Sequence, residues 1–111
     1  MQIEVRTDNT IEGHEALATH IKSVVEGALE RFSDRITRVE VHVTDVNGHK
    51  GGPDEMRCVI EARLQGRPAI AVTHQDASLN QVVDGAAGKL KRLIESTLSR
   101  ESSLAGQRDH H

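Results

Sequence analysis

QDASLNQVVDGAAGKLKRLIESTLSR, residues 75–100, carries Leu79, Val82, Val83, Ala86, Leu90, Leu93, Ile94 and Leu98 at three- and four-residue steps. That spacing lays one apolar stripe along a helix. On a wheel of about 100° per residue, Leu79, Val83, Ala86, Leu90 and Ile94 centre the buried face, Lys89 and Lys91 flank it, and Arg92 points outward. Asp76 stands just before the run, and its carboxylate is expected to accept the unpaired first-turn amides as an N-cap. Such a helix must lie on an apolar surface, and the rest of the chain supplies a sheet.

Gln2 to Thr7 (QIEVRT) alternates, with Ile3 and Val5 on one face and Glu4 and Arg6 on the other, as a half-buried strand does. Asp8-Asn9-Thr10 breaks it. From about Gly13 to Phe32 the period becomes helical through Leu17, Ile21, Val24, Val25, Ala28, Leu29 and Phe32. Glu15, Thr19, Ser23, Glu26 and Glu30 give this helix an acidic outer side, and Ser33-Asp34-Arg35 ends it. Ile36 to Asp45 returns to a period of two, with Val39, Val41 and Val43 inward. VNGHKGGPD (46–54) reads as a hairpin loop. Met56 to Leu64 alternates again, with Cys58, Ile60 and Ala62 inward. Gln65-Gly66-Arg67-Pro68 is a tight turn, and Ala69 to Thr73 is a short fourth strand. The order is β-α-β-β-β-α. The β-α-β unit gives parallel neighbours and the two hairpins antiparallel ones. The expected fold class is therefore α+β, a four-stranded mixed sheet with two helices packed on one face. Residues 1–100 form one domain, and ESSLAGQRDHH (101–111), which loses periodicity, is expected to be a disordered tail.

The 111 residues suit a single domain. Charged residues make up 28% and Phe32 is the sole aromatic side chain, a composition of a soluble globular protein. No apolar run approaches the ~20 residues of a membrane span, and the mixed-charge start lacks the apolar core of a signal peptide. Cys58 has no partner for a disulfide, which fits a cytoplasmic protein. Net charge is −3, but it is uneven: residues 1–55 hold six Lys/Arg against eleven Asp/Glu, and residues 56–111 hold eight against six. Within 85–100, Lys89, Lys91, Arg92 and Arg100 face only Glu95. An acidic front half with a basic final helix is compatible with a phosphate-bearing partner.

Those four cations are the candidate phosphate contacts, since a protein docking on RNA gains affinity by releasing counterions. Taken alone, they equally describe a solvated helix face with cations near its C-terminus. Gly85 and Gly88 fall on the outer face, where each costs roughly 1 kcal/mol against Ala; either mere tolerance or close approach of a phosphate backbone accounts for them. With Phe32 alone there is no aromatic platform for bases, so recognition would be of shape and backbone. His14, His20, His42, His49 and His74 show no ligand spacing, and no metal or cofactor is expected. His110-His111 is either native or an added tag. Gly85-Ala86-Ala87-Gly88-Lys89 lacks the phosphate-loop spacing, and inward Cys58 reads as a packed, inert thiol. Arg38, Glu40, His42, Arg57, Glu61 and Arg63 are expected to form cross-strand charge pairs on the open sheet face, which leaves a protein-binding regulatory module as the alternative function. No catalytic set stands out, and no enzyme is expected.

ALERFSDRITRVEVHV (28–43) and VTHQDASLNQVVDGAAGKLKRLIE (72–95) resemble the ribosome hibernation-promoting factor and ribosome-associated inhibitor family, also known as sigma-54 modulation proteins. The first segment matches the family's helix end, turn and "itrVeV" strand; the second matches its final helix at Gln81 to Gly85 and Lys89 to Arg92. The likeness spans roughly residues 2–98. It implies a β-α-β-β-β-α fold related in shape to double-stranded RNA-binding domains. It further implies a cytoplasmic stress-response protein that binds small-subunit ribosomal RNA in the decoding channel and blocks messenger and transfer RNA. Lys22 on the first helix and Lys89, Lys91 and Arg92 on the second match basic family positions; Arg31, Arg35 and Arg38 lie near the same end of the sheet, and Arg100, read above from the charge of the final helix, completes the expected RNA-binding set. The implied partner is the small ribosomal subunit, with neither DNA nor a membrane. The chain departs from the family in its acidic first helix, in Leu79-Asn80 where a Tyr or Met is usual, and in lacking the C-terminal dimerisation domain of long-type members.

Overall fold

A computed structural model of the chain describes residues 1–7, 14–46 and 55–109. The elements are β1 (Gln2–Thr7), α1 (His14–Leu29) continued by a 3-10 turn (Glu30–Phe32), β2 (Ile36–Asp45), β3 (Met56–Leu64), β4 (Ile70–Asp76) and α2 (Leu79–Asp109). The strands form one sheet in the order β1-β2-β3-β4. β1 runs parallel to β2, with Val5 opposite Val41. β2–β3 and β3–β4 are antiparallel. This is the α+β mixed sheet that the alternating patterns predict. The hairpin loop and the break after Thr7 lie outside the described residues, as does His110-His111; the backbone bond from Val46 N–H to Glu55 C=O, 2.9 Å, closes the β2–β3 hairpin.

Register assigns the two sheet faces. Val39, Val41 and Val43 oppose Ala62, Ile60 and Cys58, and all six are buried with Ile21, Val25, Leu29 and Phe32 from the first helical segment and Val82, Val83, Ala86, Ala87, Leu90 and Ile94 from α2. Both helices therefore cover the same side. Two cross-contacts set their direction: His20 Nε2 lies 3.1 Å from Asn80 Oδ1, and Arg31 reaches Glu95 at 3.7 Å. The helices run parallel, side by side.

Four local details differ from the pattern reading. Ile36 is buried although it stands out of phase with Val39, because the register shifts between Ile36 and Arg38 and leaves Thr37 as an extra residue. β4 continues past Thr73 to Asp76. Its later inward positions, His74 and Asp76, are polar, which hides the alternation. Asp76 is consequently a strand residue, and the N-cap of α2 is Ser78. Its hydroxyl accepts the Gln81 N–H at 3.2 Å and donates to the Gln81 side chain at 3.1 Å, a side-chain N-cap. α2 also runs on to Asp109, through residues read as a disordered tail; residues 101–109 contain no proline and only one glycine to interrupt helical hydrogen bonding. Gly66 has φ 70° and follows Gln65 in a turn closed by Arg67 N–H to Leu64 C=O, a conformation glycine adopts without strain.

Candidate nucleic-acid interface

α2 presents its cations on three sides. Lys89, on the flank toward β4, donates its ammonium to Thr73 C=O at 3.1 Å, so it is tethered to the sheet edge. Lys91, half-buried, lies four residues before Glu95 on the flank that faces α1. Arg92 is exposed and folds back over Gly88, where an added Cβ would stand 3.6 Å from the guanidinium. Arg100, a further two turns on, bonds Ser96 Oγ at 3.4 Å. The wheel reading of these side chains is thus the observed one: two flanking, one outward.

The other expected contacts divide. Arg31 stacks over Phe32, 5.3 Å from the ring centre, and joins α2 through Glu95. Lys22 does not join this group. It follows His20, which faces α2, by two residues, about 200° round the helix. That puts it on the opposite flank with Glu15 and Glu26. Arg35 is exposed in the turn before β2, and its carbonyl accepts the Gln65 N–H at 2.9 Å. Arg38 is on the far side of the sheet. One guanidinium nitrogen contacts Glu4, and the same nitrogen meets Glu40 at 3.0 Å, while its Nε is buried with no hydrogen-bond partner.

The open face follows from the same register. Glu4 pairs with Glu40, and Glu40 with Glu61. One row earlier, Gln2 pairs with Arg38 and Arg38 with Arg63. Like charges thus sit directly across the strands, and the ion pairs form along strands and diagonally: Arg6 with Glu4 at 3.2 Å, and Arg38 with Glu4 and Glu40. The expected cross-strand charge pairing is thus met at Arg38–Glu4, on the diagonal and not between directly opposite residues. The arginines beside Glu4, Arg6 first and then Arg38, hold its carboxyl below the usual range. With its amide turned so that oxygen faces Arg57, Gln75 accepts from that guanidinium at 2.9 and 3.0 Å and donates to Glu55 at 2.9 Å.

Gly85 has a different role from the one expected. It faces the His74 ring, and an added Cβ would fall 2.2 Å from Nε2. His74 Nε2 in turn lies 3.2 Å from Asp76 Oδ2. The Ala77 N–H, and then His74, keep the Asp76 carboxyl below its usual value. The glycine thus admits a β4 side chain under α2, and no outer approach explains it. Cys58 is fully buried, and burial pushes its thiol up to about 12, as expected of an inert thiol. Arg63 and Arg67 stand beside Arg38 and Arg35 at the same end of the sheet, a grouping that the strand register and turn bonds bring about.

The family model described as "Sigma 54 modulation protein / S30EA ribosomal protein" matches residues 3–101. No curated protein sequence matches the chain. Among solved structures, the N-terminal domain of Thermus thermophilus Protein Y is similar with a TM-score of 0.63 at 20% identity, over 87% of this chain and 99% of that one. A ribosomal subunit interface protein from Coxiella burnetii is similar with a TM-score of 0.67 at 15% identity, over 89% and 99% respectively. At these identities the likeness to the two structures is one of fold. No helix among the described residues is long and apolar enough to cross a membrane.

Proposed function

We propose, from the premise that the chain belongs to the sigma 54 modulation protein / S30EA ribosomal protein family, that it is a cytoplasmic ribosome-associated hibernation factor. It binds small-subunit ribosomal RNA in the decoding channel and keeps messenger and transfer RNA out. It acts by occupancy, with no chemical step. The observation that carries this reading is the basic run of α2, held on a sheet-backed rod: Lys89 anchored at the β4 edge, with Lys91 and Arg92 in no ion pair among the described residues. Cations fixed on a rigid element hold phosphates with little loss of side-chain freedom. The acidic outer side of α1 (Glu15, Glu26, Glu30) confines the attractive surface to α2 and the adjoining arginines.

The test is sedimentation with vacant small subunits across a salt series. Binding should weaken steeply, with a slope of about −0.7 to −0.9 per phosphate contact. The combined variant Lys89→Glu, Lys91→Glu, Arg92→Glu should leave the ribosomal fraction while keeping its circular dichroism spectrum. If it sediments as the parent does, the α2 cations are not the contact. A protein-binding module working through the charged sheet face would instead show a capture that α2 reversal leaves intact.

A further inference from the structure

Resting on the ribosome-binding reading, we infer that the sheet end where β2 begins and β3 ends is a second phosphate-backbone contact, made by Arg38 and Arg63 on the open face with Arg35 and Arg67 in the adjoining turns. Arg38 and Arg63 are direct cross-strand partners. Like charges in that position destabilise a sheet, so the pair is a cost to the isolated fold. Glu4 and Glu40 offset it at Arg38 alone. The Arg63 side chain is exposed and has no ion pair or side-chain hydrogen bond among the described residues; its carbonyl is what Thr37 Oγ1 donates to, at 3.1 Å. The turns extend the patch. Gln65 N–H bonds Arg35 C=O, and Arg67 N–H bonds Leu64 C=O, which fixes Arg35 and Arg67 at the same edge as Arg63.

A phosphodiester fits this surface better than an acidic protein. Guanidinium pairs bind phosphate oxygens in bidentate fashion, and the neighbouring row of Glu4, Glu40 and Glu61 would repel a broad acidic surface while leaving room for a narrow backbone along the edge. The patch also lies at the end where Arg31 meets α2. One RNA-lined groove could therefore touch α2 and the sheet end without crossing the acidic side of α1.

The test compares the full chain with Arg63→Gln/Arg67→Gln in binding to purified vacant small subunits between low and moderate salt. Binding should fall about tenfold or more, and the plot of log affinity against log salt should become shallower by about 1 for each arginine removed. Thermal melting separates this from misfolding: loss of the charge opposite Arg38 should leave the midpoint unchanged or raised. Parent-like affinity and slope in the variant would overturn the sheet-end contact while the α2 reading stands. Failure of the parent itself to bind would overturn both. Weakened binding with an unchanged salt slope would also count against it, since no phosphate contact would have been lost.

Discussion

Replacing Gly85 by alanine should harm the protein where the same change at Gly88 helps it. In a helix interior, Gly→Ala ordinarily stabilises by about 1 kcal/mol. Gly88 has only the Arg92 guanidinium near an added Cβ, at 3.6 Å, an ordinary contact that a flexible side chain accommodates. At Gly85 the new methyl would lie 2.2 Å from His74 Nε2 and 2.3 Å from Cδ2. The ring must then swing away, giving up its contact with Asp76 and its place under the helix. Overpacking of this kind costs about 1–3 kcal/mol, so the helix gain is cancelled or reversed, and the two variants should differ by about 2 kcal/mol. In urea, with a slope of about 2 kcal/mol per molar, their midpoints should stand about 1 M apart on either side of the parent or close to it. Adding His74→Ala should release the penalty, so that Gly85→Ala becomes stabilising in that background; the coupling should approach 2 kcal/mol. If Gly85→Ala raises the midpoint as much as Gly88→Ala does in the parent, the imidazole does not occupy that space and the packing described for α2 on β4 is wrong.

Three further outcomes are expected. Ser78→Ala should lower stability by about 1 kcal/mol in denaturant melts while Asp76→Ala leaves the first turn of α2 capped; equal loss of helical signal in both would contradict the Ser78 cap. Cys58 should resist a thiol reagent in the native protein at pH 8 and react fully in denaturant, because the thiol is buried and its pKa is pushed up to about 12. Glu4 and Asp76 are both held below their usual pKa values, by Arg6 and Arg38 and by Ala77 N–H and His74 respectively. Their contribution is fully present above those usual values and is lost as pH falls through the lowered folded values. Glu4→Gln should therefore flatten the fall of the melting midpoint below about pH 4.5, and an unchanged acid limb would refute the Glu4–Arg pairing.

The framework of the fold was legible because its core residues alternate or recur cleanly. Val39, Val41 and Val43 announce one face of β2, and Leu79, Val83, Ala86, Leu90 and Ile94 one face of α2. Illegible features were those decided by a partner distant in sequence. The inward positions of late β4 are His74 and Asp76, whose polarity conceals the period, and the ring under Gly85 cannot be inferred from the helix alone. Ser78 with Gln81 three residues on was a readable cap signal, eclipsed by the nearer-looking acid. For the interface, the wheel placed Lys89, Lys91 and Arg92 where they stand. It could not show that His20 turns toward α2 and so sends Lys22 the other way, and the strand patterns, which put Arg38 and Arg63 on the open face, could not show that they are direct cross-strand partners.

The single parallel joint in the sheet has a kinetic consequence. β2, β3 and β4 can zip as successive hairpins, but Gln2 to Thr7 pair with Arg38 to Val43, so β1 has no sheet partner until the crossover and the first residues of β2 are in place. Contacts of such long sequence separation form late, and the β1–α1 flap should be the unit that opens first in native-state hydrogen exchange, with the amides of β2 and β3 the slowest to trade their protons.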